Sequence, residues 1–271
     1  SGLFPTGIKN HVYRIFLMYI NWLIAILLIS DLYAQTNLEK GLVAYNLRSE
    51  GNIEDQAQTE AVNEAIKYYQ LALDEPNVEI EAVVGLLKSY YFKGKFVIHT
   101  EDQQKIIFNK AKDLAEEYLD NNPKRADLRL WYLINLGSWA EVYGILRAAK
   151  EGVADQMRDH AKKIIDLDPS YNNGGGYLML GTVHYKSPYI PFLLSWPDND
   201  EAVKWLTKAV ETGKSTPGQK VYLAQALDKD KKKNKARALL ESVINTSPRS
   251  AYLVEDWEQI NKAKVLIKDY K

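Results

Sequence analysis

Five stretches of this chain share one spacing of small and medium apolar residues. Each has such a residue, a second four positions on, a third three after that, and then a helix stop. They are Ala65/Tyr69/Ala72 before Pro76, Ala111/Ala115/Tyr118 before Pro123, Met157/Ala161/Ile164 before Pro169, Ala202/Leu206/Ala209 before Gly213, and Ala236/Leu240/Val243 before Pro248. Positions i, i+4 and i+7 lie on one helical face, and small side chains there let a neighbouring helix come close. The five begin 46, 46, 45 and 34 residues apart. A unit recurring at that period cannot bury its apolar face alone and must stack on the next one. With only 15 glycines and 9 prolines in 271 residues, helices can run between the stops. No sustained alternation of apolar and polar residues argues for a sheet.

The periodicity predicts eleven helices, over 37–49, 58–74, 79–95, 102–121, 125–148, 152–167, 174–186, 199–213, 217–228, 233–246 and 253–269. Asp200 stands where a helix N-cap is expected, and Ser247 where a stop is expected. The last helix, with Trp257, Ile260, Ala263 and Leu266 on one face, is expected to cap the open end of the stack. The stretches AKKIIDLDPSYNNGGGYLMLGTVHY, DEAVKWLTKAVETG and KARALLESVINTSP resemble tetratricopeptide (TPR) units, and the likeness runs over roughly residues 58–248. It implies an all-α, TPR-like helical-hairpin solenoid, a superhelix of about five helix pairs with a C-terminal capping helix. From about Leu128 to Leu266 the chain also resembles the periplasmic T component of TRAP-type transporters. The matching features are the apolar helix, LDPSYNNGGGYLMLG, the proline-bearing loop, DEAVKWLTKAV and KARALLESVI. That resemblance implies apolar helices around a pore and contact with a solute-binding subunit. The chain departs from it in having no lipid-anchoring Cys and no glycine pair in the loop.

Two features exceed a plain solenoid. LRLWYLINLGSWAEVYGIL carries only Arg129 and Glu141 as charges, so this helix is expected to be enclosed by protein. Within it Trp131, Trp139 and Tyr143 are either core or the lining of an apolar channel or ligand pocket. In SPYIPFLLSWPDND, Pro188, Pro191 and Pro197 prevent a regular helix, yet Tyr189, Ile190, Phe192, Leu193, Leu194 and Trp196 are apolar. Such a loop either folds onto the core or covers a binding surface, with Tyr189, Phe192 and Trp196 as its contact candidates.

At the N-terminus Lys9, His11 and Arg14 precede an apolar run from Ile15 to Ile29, broken only by Asn21 and followed by Ala34. This pattern predicts that residues 1–34 are a secretory signal cleaved after Ala34, or else an uncleaved membrane anchor, with 35–271 as the solenoid domain. Either way export to the periplasm or cell envelope is expected, with membrane contact only through the N-terminal segment. The chain has 35 basic and 35 acidic residues, and setting aside Lys9, Arg14 and Asp31 leaves 33 against 34. That balance argues against a nucleic-acid partner.

Chemistry is hard to find. Without cysteine there is no disulfide frame, thiolate metal site or cysteine nucleophile. The four histidines form no HExxH and no i,i+4 pair. His160 and His184 read as surface or satisfied core residues. DLDPSYNNG begins like a calcium loop but has Tyr171 where the sharp turn needs glycine. Gly174–Gly176 follow no strand and read as a turn with close helix approach. The basic run DKDKKKNKAR reads as a solvated turn. The chain is therefore expected to be a non-enzymatic protein-binding solenoid without cofactor or metal. Its partner is expected to be a protein, such as a solute-binding subunit, with a small apolar ligand as a further candidate. A membrane-anchored scaffold of a larger envelope complex is the alternative. A hydrolase would require paired carboxylates facing one cavity.

Overall fold

The computed structural model describes residues 35–270 together with Tyr19 and Ile20. The expected signal or anchor and its Ala34 cleavage point lie outside these, those two residues apart. Among the described residues no helix is long and apolar enough to cross a membrane.

The chain folds into helical hairpins. The elements are α1 (Asn37–Asn46), α2 (Glu60–Ala72), α3 (Glu79–Phe96), α4 (Glu101–Leu119), α5 (Ala126–Tyr143), α6 (Ile145–Lys150), α7 (Val153–Leu167), α8 (Tyr171–Lys186), α9 (Asn199–Glu211), α10 (Pro217–Lys229), α11 (Lys233–Ile244) and α12 (Leu253–Leu266). No strand occurs among the described residues. Helices pair as α1/α2, α3/α4, α5/α7, α8/α9 and α10/α11, with α12 packed on the last pair.

The repeated residues hold the pairs together. Ala65, Ala72, Ala111, Ala115, Ala161, Ile164, Ala202, Leu206, Ala209, Ala236, Leu240 and Val243 are all fully enclosed, and Tyr69 and Met157 are buried. One position is corrected. Tyr118 is only half-buried and its hydroxyl reaches Glu79, while Leu119 takes the core place one residue on. At Gly181 a methyl group would meet Leu206, including its backbone nitrogen 2.9 Å away, so α8 and α9 cross at backbone distance.

Three boundaries differ from expectation for identifiable reasons. The long apolar helix stops at Tyr143, because Gly144 takes φ 87° and ψ 153°, and the chain restarts as the short α6. The stretch from Tyr171 contains a kink, with Asn172, Asn173 and Gly174 all in the left-handed region, where Gly174 (φ 81°) serves the turn expected of it. The cap of α9 is Asp198 rather than Asp200, its Oδ1 accepting from the backbone N–H groups of Asp200 and Glu201 at 2.9 Å.

As expected, α12 caps the last pair, and it does more. It covers the last pair through Ile260 and Ala263, but it also returns to the start of the chain. Arg48, just past α1, donates to Glu255 Oε1 through Nη2 at 2.8 Å and to the Ala251 carbonyl at 2.6 Å. Asn261 donates to Glu54 at 2.8 Å, and Lys95 of α3 pairs with Glu258 at 3.2 Å. The stack is one closed turn of superhelix rather than an open-ended array.

Candidate functional site

Closure leaves a central cavity of about 930 Å³, in the range of ligand sites. Its walls are the first helices of successive pairs, α3, α5, α8 and α10, together with α6, the start of α7, and α12. Its lining mixes two kinds of side chain. Ile134, Ala148, Val153, Met157, Val183 and Leu194 are apolar. Lys95, Glu141, Lys186, Tyr222, Glu258 and Lys262 are polar or charged.

Among the charged residues Glu141 sits between Lys95, at 3.5 Å, and Lys186, to which it is hydrogen-bonded. Burial pushes the Glu141 carboxyl up, but the two ammonium groups outweigh it and hold it below the ordinary carboxylate range. Burial likewise works against the Lys95 charge, and Glu258 and Glu141 reverse that and raise it. Lys262 is different. Its ammonium lies 4.9 Å from the Tyr222 ring centre, with no ion pair or hydrogen bond to the described residues. Burial first, then neighbouring Lys186, lower its pKa. Tyr222 is shifted upward by burial.

Four acids face the cavity, and each is ion-paired: Glu141 as above, Glu255 with Arg48 at 2.8 Å, Asp256 with Arg249 at 2.7 Å, and Glu258 with Lys95 at 3.2 Å. A general acid–base pair requires one carboxyl to keep its proton, and Glu141, the acid of the four with a resolved shift, moves the other way. Among the described residues no group of three or more His, Asp or Glu is placed to hold a metal. Asp168 instead accepts from Ser170, closing the turn after α7.

The sequence candidates divide. Trp131, Trp139 and Tyr143 do not line the cavity; their neighbours Ile134, Gly137, Ser138, Ala140 and Glu141 do. Trp139 is buried and donates to Asn109 Oδ1 at 2.7 Å, while Asn109 donates to the Tyr143 hydroxyl at 2.7 Å, so this pair clamps α4 to α5. Trp131 is half-buried against Tyr91. The proline loop is part buried and part exposed. Ile190 and Leu194 exchange backbone hydrogen bonds at 2.8 Å, folding a tight turn with Leu194 buried and facing the cavity. Trp196 packs edge-on against His184 and donates to Asp155 at 2.8 Å. Tyr189 and Leu193 project outward, and Phe192 at the tip is fully exposed with φ 65°. A bulky residue in that region is strained, and such strain concentrates where surfaces are used. His184 and His160 are satisfied packing residues: His184 Nδ1 accepts from the Asp198 N–H, and His160 Nδ1 faces Arg129 Nη1 at 3.0 Å.

Sequence reading missed the charged cluster. Its one visible signal was Glu141, a carboxylate in the last turn of a mostly apolar helix. Its partners come from helices far apart in sequence, so spacing did not group them.

Comparison with known proteins adds a family. The model described as "Regulator of microtubule dynamics protein 1-3" matches residues 47–191, more than half of the 271. The chain belongs to that family. The matched part runs from the end of α1 into the proline loop, so it includes α3, α5 and α8 of the cavity wall. A search of curated proteins finds no match. Among solved structures, a thermophilic TPR protein of Thermus thermophilus aligns with a TM-score of 0.58 at 16% identity, covering 84% of this chain and 97% of that one. At that identity the likeness concerns the fold, and it agrees with the TPR-like reading. Neither comparison points to a transporter T component.

Proposed function

We propose that this member of the regulator of microtubule dynamics family is a non-catalytic protein-binding module that receives part of its partner in the central cavity. The observation that carries the reading is the closed superhelix itself, whose first helices turn apolar and charged side chains toward a shared space of about 930 Å³. A TPR-type stack binds through that concave surface, and the exposed knuckle of Tyr189, Phe192 and Leu193 adjoins its rim through Pro188 and Leu194. The T-component resemblance would make the partner an exported solute-binding subunit. The family description favours a second reading, in which the chain acts on microtubules; an uncleaved anchor at residues 1–34 would be compatible with it. Two experiments separate these readings. Intact mass starting at Gln35 supports export with cleavage, whereas a full-length mass in the membrane fraction supports the anchor. Co-sedimentation of residues 35–271 with polymerised tubulin, lost on Phe192→Ala, supports the microtubule reading. No co-sedimentation removes it.

A further inference from the structure

Within the cavity lining three neighbouring ammonium groups, Lys95, Lys186 and Lys262, share two carboxylates, Glu141 and Glu258. Glu141 takes Lys186 by a hydrogen bond and Lys95 at 3.5 Å, and Glu258 takes Lys95 at 3.2 Å. Lys262 is the cation left over. Glu258 stands four residues before it on α12, the spacing at which a helical Glu and Lys ordinarily pair, yet that carboxylate is turned to Lys95. What Lys262 Nζ meets instead is the Tyr222 ring, 4.9 Å from its centre, with Lys186 Nζ 5.4 Å from the same centre.

A half-buried cation with no acid of its own, beside a second cation, is the setting in which a lysine gives up its proton. The charged and titratable groups that face it are Lys95 from α3, Glu141 from α5, Lys186 from α8, Tyr222 from α10 and Glu258 from its own helix. Burial and then Lys186 act against its charge, and the two carboxylates, already engaged, offset only part of that. The unprotonated amine is a nucleophile, whereas an ordinary lysine, with a pKa of about 10.4, is almost wholly protonated at neutral pH.

The rest of the lining says what such an amine would meet. Ile134, Met157, Val183 and Leu194 offer hydrocarbon contact, and Thr182, only 8% exposed, leaves its hydroxyl without a partner among the described residues. Buried polar groups are normally satisfied, so the space suits a guest that is mostly hydrocarbon and carries an oxygen. We propose that Lys262 is a covalent acceptor site for aldehydes with an apolar body, which enter the cavity and form an imine on its Nζ. The Nζ lone pair attacks the carbonyl carbon and makes the C–N bond. Both amine hydrogens then pass to the carbonyl oxygen, its bond to carbon breaks, and water leaves. The C=N product forms without any change of oxidation state, so no oxidant or reductant is needed. Such a site is independent of the protein-binding reading above.

The test treats the full chain at neutral pH with a limiting amount of hexanal, reduces the imine with cyanoborohydride, and locates the hexyl group by peptide mass spectrometry. The expected result is a first mark on Lys262, roughly tenfold or more ahead of exposed Lys231. Lys262→Arg, which keeps the charge and cannot form the imine, should lose that mark with helix content unchanged. Lys186→Met frees Glu141 to hold Lys262 charged, so it should slow the marking of Lys262 severalfold and move its rate profile to higher pH. A lysine marked only for its accessibility would not respond in that way. Acetaldehyde, with almost no hydrocarbon body, should show a clearly smaller preference for Lys262. Marks spread evenly over exposed lysines, an unmarked Lys262, a rate indifferent to Lys186→Met, or an equal preference from acetaldehyde would each overturn the proposal. The position of the mark in the native chain decides even where a variant fails to fold.

Discussion

His160 shows how a side chain with no catalytic task still shapes behaviour. Burial, then the Arg129 guanidinium, lower its pKa from 6.5 to about 4. The fold therefore holds the ring neutral while the unfolded chain protonates near the ordinary value. Stability from this group is complete above pH 6.5 and drains away as pH falls toward 4, by on the order of 2 kcal/mol once the partial exposure of the ring is discounted. Urea titrations across that window should show the loss. His160→Asn, which keeps an acceptor for Arg129, should flatten it. The proline loop divides just as sharply between neighbouring aromatics. Trp196→Ala removes packing on His184, a hydrogen bond to Asp155 and a cation–π contact with Arg158. It should cost about 2–3 kcal/mol. Phe192→Ala should leave the melting temperature within a degree or two while weakening partner capture, because its ring touches solvent alone. Equal losses of stability at both positions would contradict this division.

Among the elements, the second helices were legible because a close helix contact demands small residues at fixed spacing, and that demand repeats in every unit. Ala115→Leu and Ala209→Leu put three extra carbons where nothing is exposed, and each should destabilise by about 1–3 kcal/mol. Gly181→Ala should do the same, since the intruding methyl meets backbone rather than a flexible tip. Thermal denaturation of the three variants checks this, and neutral outcomes at all three would dissolve the assigned phase. The first helices were harder to read. Their inner faces meet a cavity, where polarity follows the contents rather than a period, and α5 shows apolar residues nearly all round because other helices cover it everywhere but on its cavity face. Its Trp139 and Tyr143 therefore read as pocket lining although they hold α4 in place. The residues that do face the cavity from α5 are the smaller ones between them. The break at Gly144 was also hidden, since a single glycine in a helical pattern signals a stop only once its φ is known.

For the whole molecule, closure decides whether there is a site at all. Five pairs and a capping helix were legible from the repeat, but the return of α12 to the first pair depends on residues some 207 positions apart in the chain, which no local pattern links. Arg48 is the main tie, its guanidinium buried between Tyr45 and Phe92 and bonded to Glu255 and the Ala251 carbonyl. Arg48→Ala leaves Glu255 without that tie and should cost about 3 kcal/mol or more by chemical denaturation. It should also widen the molecule in solution scattering. The chain contains no cysteine, so Glu54→Cys and Asn261→Cys introduce its only two thiols. Those side chains are hydrogen-bonded at 2.8 Å across the junction. Spin labels at both positions of residues 35–271 should give a single short separation with strong dipolar broadening, which Arg48→Ala weakens. A broad, long distance distribution in the otherwise native chain would mean an open stack, with no enclosed cavity for a partner to enter.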